Sequence, residues 1–258
     1  MSKTYRILSW NVNGLRAVLK KNFLSWFQKD SADILCLQEI KAMAAQLPPD
    51  VVHFPGYDVQ IHSAERPGYS GVATFSREKP FSVKKGFGDV RFDSEGRVLE
   101  TEYRDFTLFN IYFPNGKSGD ERLKYKMDFY EEALKYFMKL RKKGKKLVIC
   151  GDVNTAHREI DLARPRENSK ISGFLPVERA WMDKWITKGF LDSFRIFNRE
   201  PDNYTWWDVI SGARARNVGW RIDYFFISEG LRPNLEEAFI LPEVMGSDHC
   251  PVGVILRF

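Results

Sequence analysis

The chain has 258 residues, 43% apolar and 29% charged, proportions that suit a globular protein with a sizeable core. No stretch is long and apolar enough to cross a bilayer, and MSKTYRILSW lacks the apolar region and small-residue cleavage site of a secretory leader. A net charge of +6 permits attraction to polyanions such as nucleic acid without requiring it.

In chain order, short hydrophobic runs alternate with a few amphipathic helices. There is no Ser/Gly linker or low-complexity tract, so one domain over residues 1–258 is expected. TYRILSW reads as a strand and runs into Asn11-Val12-Asn13-Gly14. Leu15, Val18, Leu19, Phe23 and Trp26 then form one apolar helical face. ADILCLQ is the next strand and ends on Glu39; GYDVQIH, SGVATFS and RVLETEY follow. FTLFNIYF passes through Tyr112 and reaches Asn115. Leu123, Met127, Tyr130, Leu134 and Phe137 predict a helix with Ser118 and Asp120 as caps and a stop near Gly144. Its basic end, RKKGKK at 141–146, reads as solvated cations complementing a helix C-terminus rather than as a DNA-binding patch. KKLVICG leads into Asp152-Val153-Asn154, and a further helix is predicted from Pro176 to about Lys188, closed by Gly189. RIDYFFIS carries Asp223, and CPVGVILRF follows GSDHCP, where Asp248 and His249 stand side by side. Many strands with few helices predict sheets packed face to face with helices outside. Cys36, Cys150 and Cys250, an odd number without CxxC spacing, predict reduced buried thiols in an intracellular, cytoplasmic protein, and neither a zinc site nor a disulfide frame.

Six apolar segments thus deliver a carboxylate, an amide or an imidazole at one end. Each alone is an ordinary turn or cap; Asn-Gly and Gly-Asp are common turn signals. Together they make a candidate site, because functional groups at one edge of a rigid sheet are a common way to build one. The ligands on offer are oxygens: Glu39, Asp152, Asp223 and Asp248 as carboxylates, Asn11, Asn13 and Asn154 as amides. Hard oxygen donors suit Mg²⁺, with Mn²⁺ as a substitute, rather than zinc. Such a site with one histidine suits phosphodiester hydrolysis, where a cation neutralises charge, a carboxylate handles water and an imidazolium holds a phosphate oxygen. In an extended segment Asp248 faces away from His249, so another acid must orient the ring, and Asp223 is the candidate.

The blocks SWNVNGLRA, ILCLQE, GYSGVA, IYFPNG, ICGDVNTAHREIDL, YTWW, RNVGWRIDYF and MGSDHCP resemble, in order and over nearly the whole chain, those of the exonuclease III family of apurinic/apyrimidinic endonucleases. The resemblance implies a four-layer α/β sandwich, two mixed sheets face to face with helices outside, similar to pancreatic deoxyribonuclease. It implies Mg²⁺-dependent cleavage of the phosphodiester 5′ to abasic sites in duplex DNA, leaving a 3′-hydroxyl and a 5′-deoxyribose phosphate. Side activities of the family are 3′→5′ exonuclease, 3′-phosphatase and, in some archaeal members, incision beside deoxyuridine. By the same resemblance Glu39 is the principal metal ligand, with Asn13, Asp248 and Asn11 beside it. Many relatives carry Asp at the position of Asn13. Asp152 activates or positions water with Asn154 as its partner, Tyr112 contacts the phosphate or leaving group, and Asp223 and His249 form the pair at the scissile phosphate.

Trp206, Trp220 and Ile222 match an apolar pocket for the flipped abasic sugar, which admits a deoxyribose lacking its base and excludes an intact nucleotide. Trp181, Trp185 and Trp207 read instead as core aromatics. Arg16, Tyr69, Asn115, Lys117, Asn168, Arg214 and Arg216 are candidates for DNA-backbone contact. A monomer without membrane attachment is expected. A small-molecule phosphatase would share the metal, Asp-x-Asn and Asp-His parts but has no reason to keep YTWW and NVGWRIDYF. A non-catalytic DNA-binding protein has no reason to fill every catalytic position.

Overall fold

The computed structural model describes residues 2–258. Among them run the strands β1 (Thr4–Asn11), β2 (Ile34–Gln38), β3 (Asp58–His62), β4 (Val72–Ser76), β5 (Ser82–Lys85), β6 (Val98–Glu102) and β7 (Thr107–Tyr112). They are followed by β8 (Leu147–Asp152), β9 (Phe190–Asp192), β10 (Trp206–Trp207), β11 (Gly219–Trp220), β12 (Asp223–Ser228), β13 (Leu235–Ile240) and β14 (Val252–Arg257). One six-stranded sheet has the order β13-β14-β1-β2-β4-β3 and a second the order β5-β6-β7-β8-β12-β9; β10 and β11 form a short ribbon apart. No helix among the described residues is long and apolar enough to cross a membrane.

Successive side chains of a strand point to opposite faces, and in the central strands both faces are covered. Ile7 of β1 enters the core between the sheets with Cys36, Leu108, Val148 and Val254. Its neighbour Leu8 faces a separate core with Phe27, Leu35 and Phe75. On the second sheet Phe109, Ile111 and Ile149 pack outward on Phe129, Phe137 and Trp185, from the helices Asp120–Lys142 and Pro176–Thr187. Strands buried on two sides read as near-continuous apolar runs, which is why they were legible in the sequence. The outcome is the expected α/β sandwich of two mixed sheets flanked by helices. All three cysteines are free and buried.

Each sheet holds one parallel pair, β1 with β2 and β7 with β8. Parallel strands send their C-terminal ends to the same edge, the usual place for a ligand in α/β sheets. Asn11 therefore lies opposite Gln38, and Tyr112 opposite Asp152. β12 and β14 run antiparallel to their neighbours, so their starts reach that edge: Asp223 pairs with Asp152, and Val252 with Ser9.

Three local expectations need correction. The single apolar helix expected over Leu15–Trp26 is two helices, Leu15–Val18 and Phe23–Asp30, broken by Asn22 in the left-handed region at φ 63°. Leu15, Val18 and Phe23 are nevertheless buried, so the apolar spacing marked the right face. Ser118 and Asp120 do not cap the long helix: Gly119, at φ 97°, precedes it, and Asp120 and Glu121 sit in its first turn, where they face the positive end of the dipole. The strands β5, β9, β10, β11 and β13 were not foreseen. β5 is fully exposed along its length, and β10 and β11 are only two residues each, so neither periodicity nor apolar content marks them.

Candidate active site

The six strand tips meet around one cleft of about 300 Å³, lined by Asn13, Glu39, Tyr112, Asn115, Lys117, Asp152, Asn154, Trp206, Trp220, Ile222, Asp248 and His249, together with Lys41, Ser172 and Gly173. At its floor the fully buried Asn11 spans the two sheets. One amide nitrogen donates to Glu39 Oε2 at 3.1 Å and to Asp152 Oδ2 at 2.9 Å, while its oxygen accepts from the Asn13 backbone N–H at 2.9 Å. Asn13, Glu39 and Asn154 all adopt positive φ, at 45°, 55° and 56°. For a residue with a Cβ this costs roughly 1–3 kcal/mol and persists only where the surroundings over-determine it. At Glu39 they do: its carbonyl accepts from Gly14, and the next two backbone N–H groups donate to Gly71 and Ser70.

Asp152 is 2% exposed and receives three hydrogen bonds, from the Asn154 backbone at 2.8 Å, Asn154 Nδ2 at 3.1 Å and Asn11. Burial pushes its carboxyl above the usual range, with the charge on His249 partly offsetting the effect. His249 donates through Nδ1 to Asp223 Oδ2 at 2.8 Å, and its Nε2 stands 3.9 Å from Asp152 Oδ2. Thr205 Oγ1 donates to the same Asp223 oxygen at 2.6 Å and fixes the carboxylate. Burial disfavours a charged imidazole, but Asp223, then Asp152 and Asp248, outweigh it and raise the ring above its ordinary value, so His249 is cationic at neutral pH. The side chain of Asp248 diverges from that of His249: it accepts from Asn13 Nδ2 at 3.0 Å and from Trp206 Nε1 at 3.0 Å. Burial works against its charge, yet His249 and these donors hold its carboxyl below the usual range. Burial, then the Glu39 carboxylate, raise the Tyr112 hydroxyl well above its ordinary value, so it stays a donor.

Two donor sets could hold a cation. The ligand atoms of Asp152, Asp223 and His249 lie within 4.8 Å of one another, but the Nδ1 of His249 is already committed to Asp223. Glu39, Asn13 and Asp248 offer oxygens instead. A cation already sits on two of them: Lys41 Nζ lies 2.9 Å from Glu39 Oε1 and 2.5 Å from Asn13 Oδ1. That oxygen set fits a hard divalent ion.

Beside the carboxylates the cleft turns apolar. Trp206 and Trp220 meet edge to face with ring centroids 6.4 Å apart, backed by Ile222, Phe174 and Leu162. Gly173, at φ 104°, lets the backbone approach: a Cβ there would stand 3.1 Å from the Trp220 ring and 3.3 Å from the Asn154 carbonyl. Lys117 Nζ lies 4.9 Å from the centre of the Trp206 ring. Trp181, Trp185 and Trp207 are buried in the core.

The other expected contacts lie outside the cleft lining. Arg16 and Arg216 are exposed on the surface. Tyr69 receives Arg97 and Arg122 on its hydroxyl. Two of these side chains also bond within the chain. Arg214 stacks 4.6 Å from the Trp207 ring and gives its donors to the carbonyls of Pro242, Val244 and Ser247, which makes it a brace for that loop. Asn168 donates to the carbonyls of Ala163 and Arg164, closing its own turn. Lys41, Ser172, Gly173 and Thr205 were missed. Lys41 had a signal, standing two residues beyond Glu39 at the same strand end, and Thr205 lay unread within YTWW.

Residues 8–249 match the endonuclease/exonuclease/phosphatase family. The exodeoxyribonuclease of Bacillus subtilis is 44% identical over 257 residues, covering 98% of this chain and 99% of that protein. The DNA repair nuclease APEX1 of Danio rerio is 43% identical over 254 residues, covering 97% of this chain and 82% of that one. An AP endonuclease from Leishmania major superposes with a TM-score of 0.89 at 30% identity, covering 99% of this chain and 88% of that chain. With the sheet order, the clustered strand tips and these likenesses in agreement, the chain belongs to the endonuclease/exonuclease/phosphatase family and, within it, to the exonuclease III-type apurinic/apyrimidinic endonucleases, which are hydrolases.

Proposed function

We propose that this protein hydrolyses the phosphodiester 5′ to abasic sites in duplex DNA, leaving a 3′-hydroxyl and a 5′-deoxyribose phosphate. The observation that carries the reading is the meeting of two unlike walls in one cleft. One is formed by Asp152 and the His249–Asp223 pair; the other, adjoining it, is formed by Trp206, Trp220 and Ile222. In this reading the buried Asp152, with its raised proton affinity, takes the proton of the attacking water, and Asn154 fixes that carboxylate. The charged His249, held by Asp223, donates through Nε2 to a phosphate oxygen, and the Tyr112 hydroxyl donates to the same group. Mg²⁺, or Mn²⁺ in its place, held by Glu39, Asn13 and Asp248, would neutralise charge building on the phosphate. The apolar wall admits a sugar without its base and clashes with an intact nucleotide, and an abasic site is also the cheapest to turn out of the stack. Weaker 3′→5′ exonuclease, 3′-phosphatase and deoxyuridine-directed incision belong to the same proposal, since each presents a phosphate ester to the same groups.

The test is a duplex oligonucleotide with one tetrahydrofuran abasic analogue, incubated with and without Mg²⁺. A Mg²⁺-dependent nick 5′ to the analogue is expected. No nick would refute the reading, and phosphate release from inositol phosphates would favour a small-molecule phosphatase.

A further inference from the structure

Arg97 is buried to 2% exposure just ahead of β6, and it is absent from the cleft lining. Its guanidinium donates to the Tyr112 carbonyl at 2.9 Å through Nη1, to the Tyr69 hydroxyl at 3.0 Å through Nη2, and to Glu95 Oε2 at 2.5 Å through Nε. It also lies 4.7 Å from the centre of the Tyr112 ring, and the Arg97 carbonyl accepts from the Tyr112 N–H at 2.9 Å. Tyr112 is therefore gripped on its backbone from both sides and on the face of its ring by one residue.

A structural ion pair with Glu95 is the plainer explanation for a buried arginine, but Glu95 already has a partner. Arg122 donates to both Glu95 oxygens at 2.9 Å and to the Tyr69 hydroxyl at 2.8 Å. What Arg97 alone supplies is the connection to Tyr112. An arginine fork is planar and rigid, so bonds made through three of its nitrogens fix orientation as well as distance.

We propose that Arg97 is a positioning residue, whose fork and stacked face hold Tyr112 in the attitude that presents its hydroxyl to the scissile phosphate and tie that attitude to Tyr69. The proposal rests on the role given above to Tyr112. Arg97→Met keeps the length and loses the fork; Arg97→Lys keeps the charge and loses the fork.

The experiment measures kcat and KM on the abasic duplex for Arg97→Met, Arg97→Lys, Tyr112→Phe and the Arg97→Met/Tyr112→Phe double variant, with near-ultraviolet circular dichroism confirming packing. Arg97→Met is expected to lower kcat about 10- to 100-fold, the scale of a reacting group misplaced by about 1 Å, with KM within about threefold. Arg97→Lys should resemble it, because charge alone does not orient a ring. In the Tyr112→Phe background the further loss should shrink to about twofold or less, as expected for two residues acting through one group. A loss that persists undiminished in that background, or falls on KM, overturns the positioning role while leaving Tyr112's own role intact. A fully active Tyr112→Phe enzyme overturns both. Should Arg97→Met fail to pack, the same comparison is made with Arg97→Lys: wild-type kcat in that variant would also overturn the proposal.

Discussion

Behind the cleft, Lys126 and Glu178 form an ion pair in which both side chains are fully buried. Glu178 Oε1 accepts from Lys126 Nζ at 2.5 Å and Ser172 Oγ at 2.9 Å; Oε2 accepts from the backbone of Gly173 at 2.6 Å and Leu175 at 2.9 Å. The ammonium also donates to the Asn154 carbonyl at 2.8 Å and Thr155 Oγ1 at 2.9 Å. Glu178→Gln puts an NH₂ where only donors point, toward either the ammonium or the two backbone N–H groups, and strands a buried cation. Breaking one side of such a pair costs about 3–5 kcal/mol, a large share of a total stability of about 5–15 kcal/mol. For a chain of this size that corresponds to a fall in Tm of roughly 6–20 °C. Urea denaturation followed by tryptophan fluorescence reads it directly, since Trp181 and Trp185 are buried on the same helix as Glu178. Adding Lys126→Met should recover most of the loss, because the cation is gone and the amide can turn its NH₂ toward Ser172 Oγ. A Glu178→Gln loss below about 1 kcal/mol, or a double variant as unstable as the sum of the singles, would refute the reasoning.

Asp152→Asn removes the proposed base and turns an NH₂ toward the Asn11 or Asn154 donors. Turnover should fall at least about 100-fold, the scale of one general base, while gel-shift affinity for abasic DNA stays within a few fold; equal loss of both would assign Asp152 to binding instead. Trp220→Ala opens the apolar wall and should blunt the preference for abasic over intact duplex more than it slows hydrolysis, measured as the ratio of the two nicking rates; parallel loss would mean general structural damage. Asp161 contributes to the response to acid: burial alone would raise its carboxyl, but Arg221 at 2.8 Å and Arg195 at 2.6 Å outweigh it and hold it at about 2. A carboxyl depressed in the folded state stabilises above the unfolded value near pH 4, and that contribution is lost as pH falls toward 2. The loss amounts to about 2 kcal/mol. Asp161→Asn should flatten that part of the stability–pH curve, and an unchanged slope between pH 4 and 2 would discount the cluster.

The sequence by itself determined the sandwich, because strands covered on both faces must be apolar at successive positions, and TYRILSW, ILCLQ and LVICG carry that mark without help from neighbours. It also marked the polar tips, since Glu39, Asp152 and His249 interrupt apolar runs where nothing in the core asks for charge. Tertiary structure alone decided which tips face one another. Hydrogen bonds such as Asn11 to Asp152 or Thr205 to Asp223 join residues 141 and 18 positions apart, and no local period encodes them. It likewise decided that Arg214 braces a loop, that Lys41 sits among the oxygens, and that Trp206 of β10 and Trp220 of β11 form one wall. Two-residue strands leave no periodic trace, and a surface arginine becomes a brace only when carbonyls from a distant loop arrive within reach of its fork.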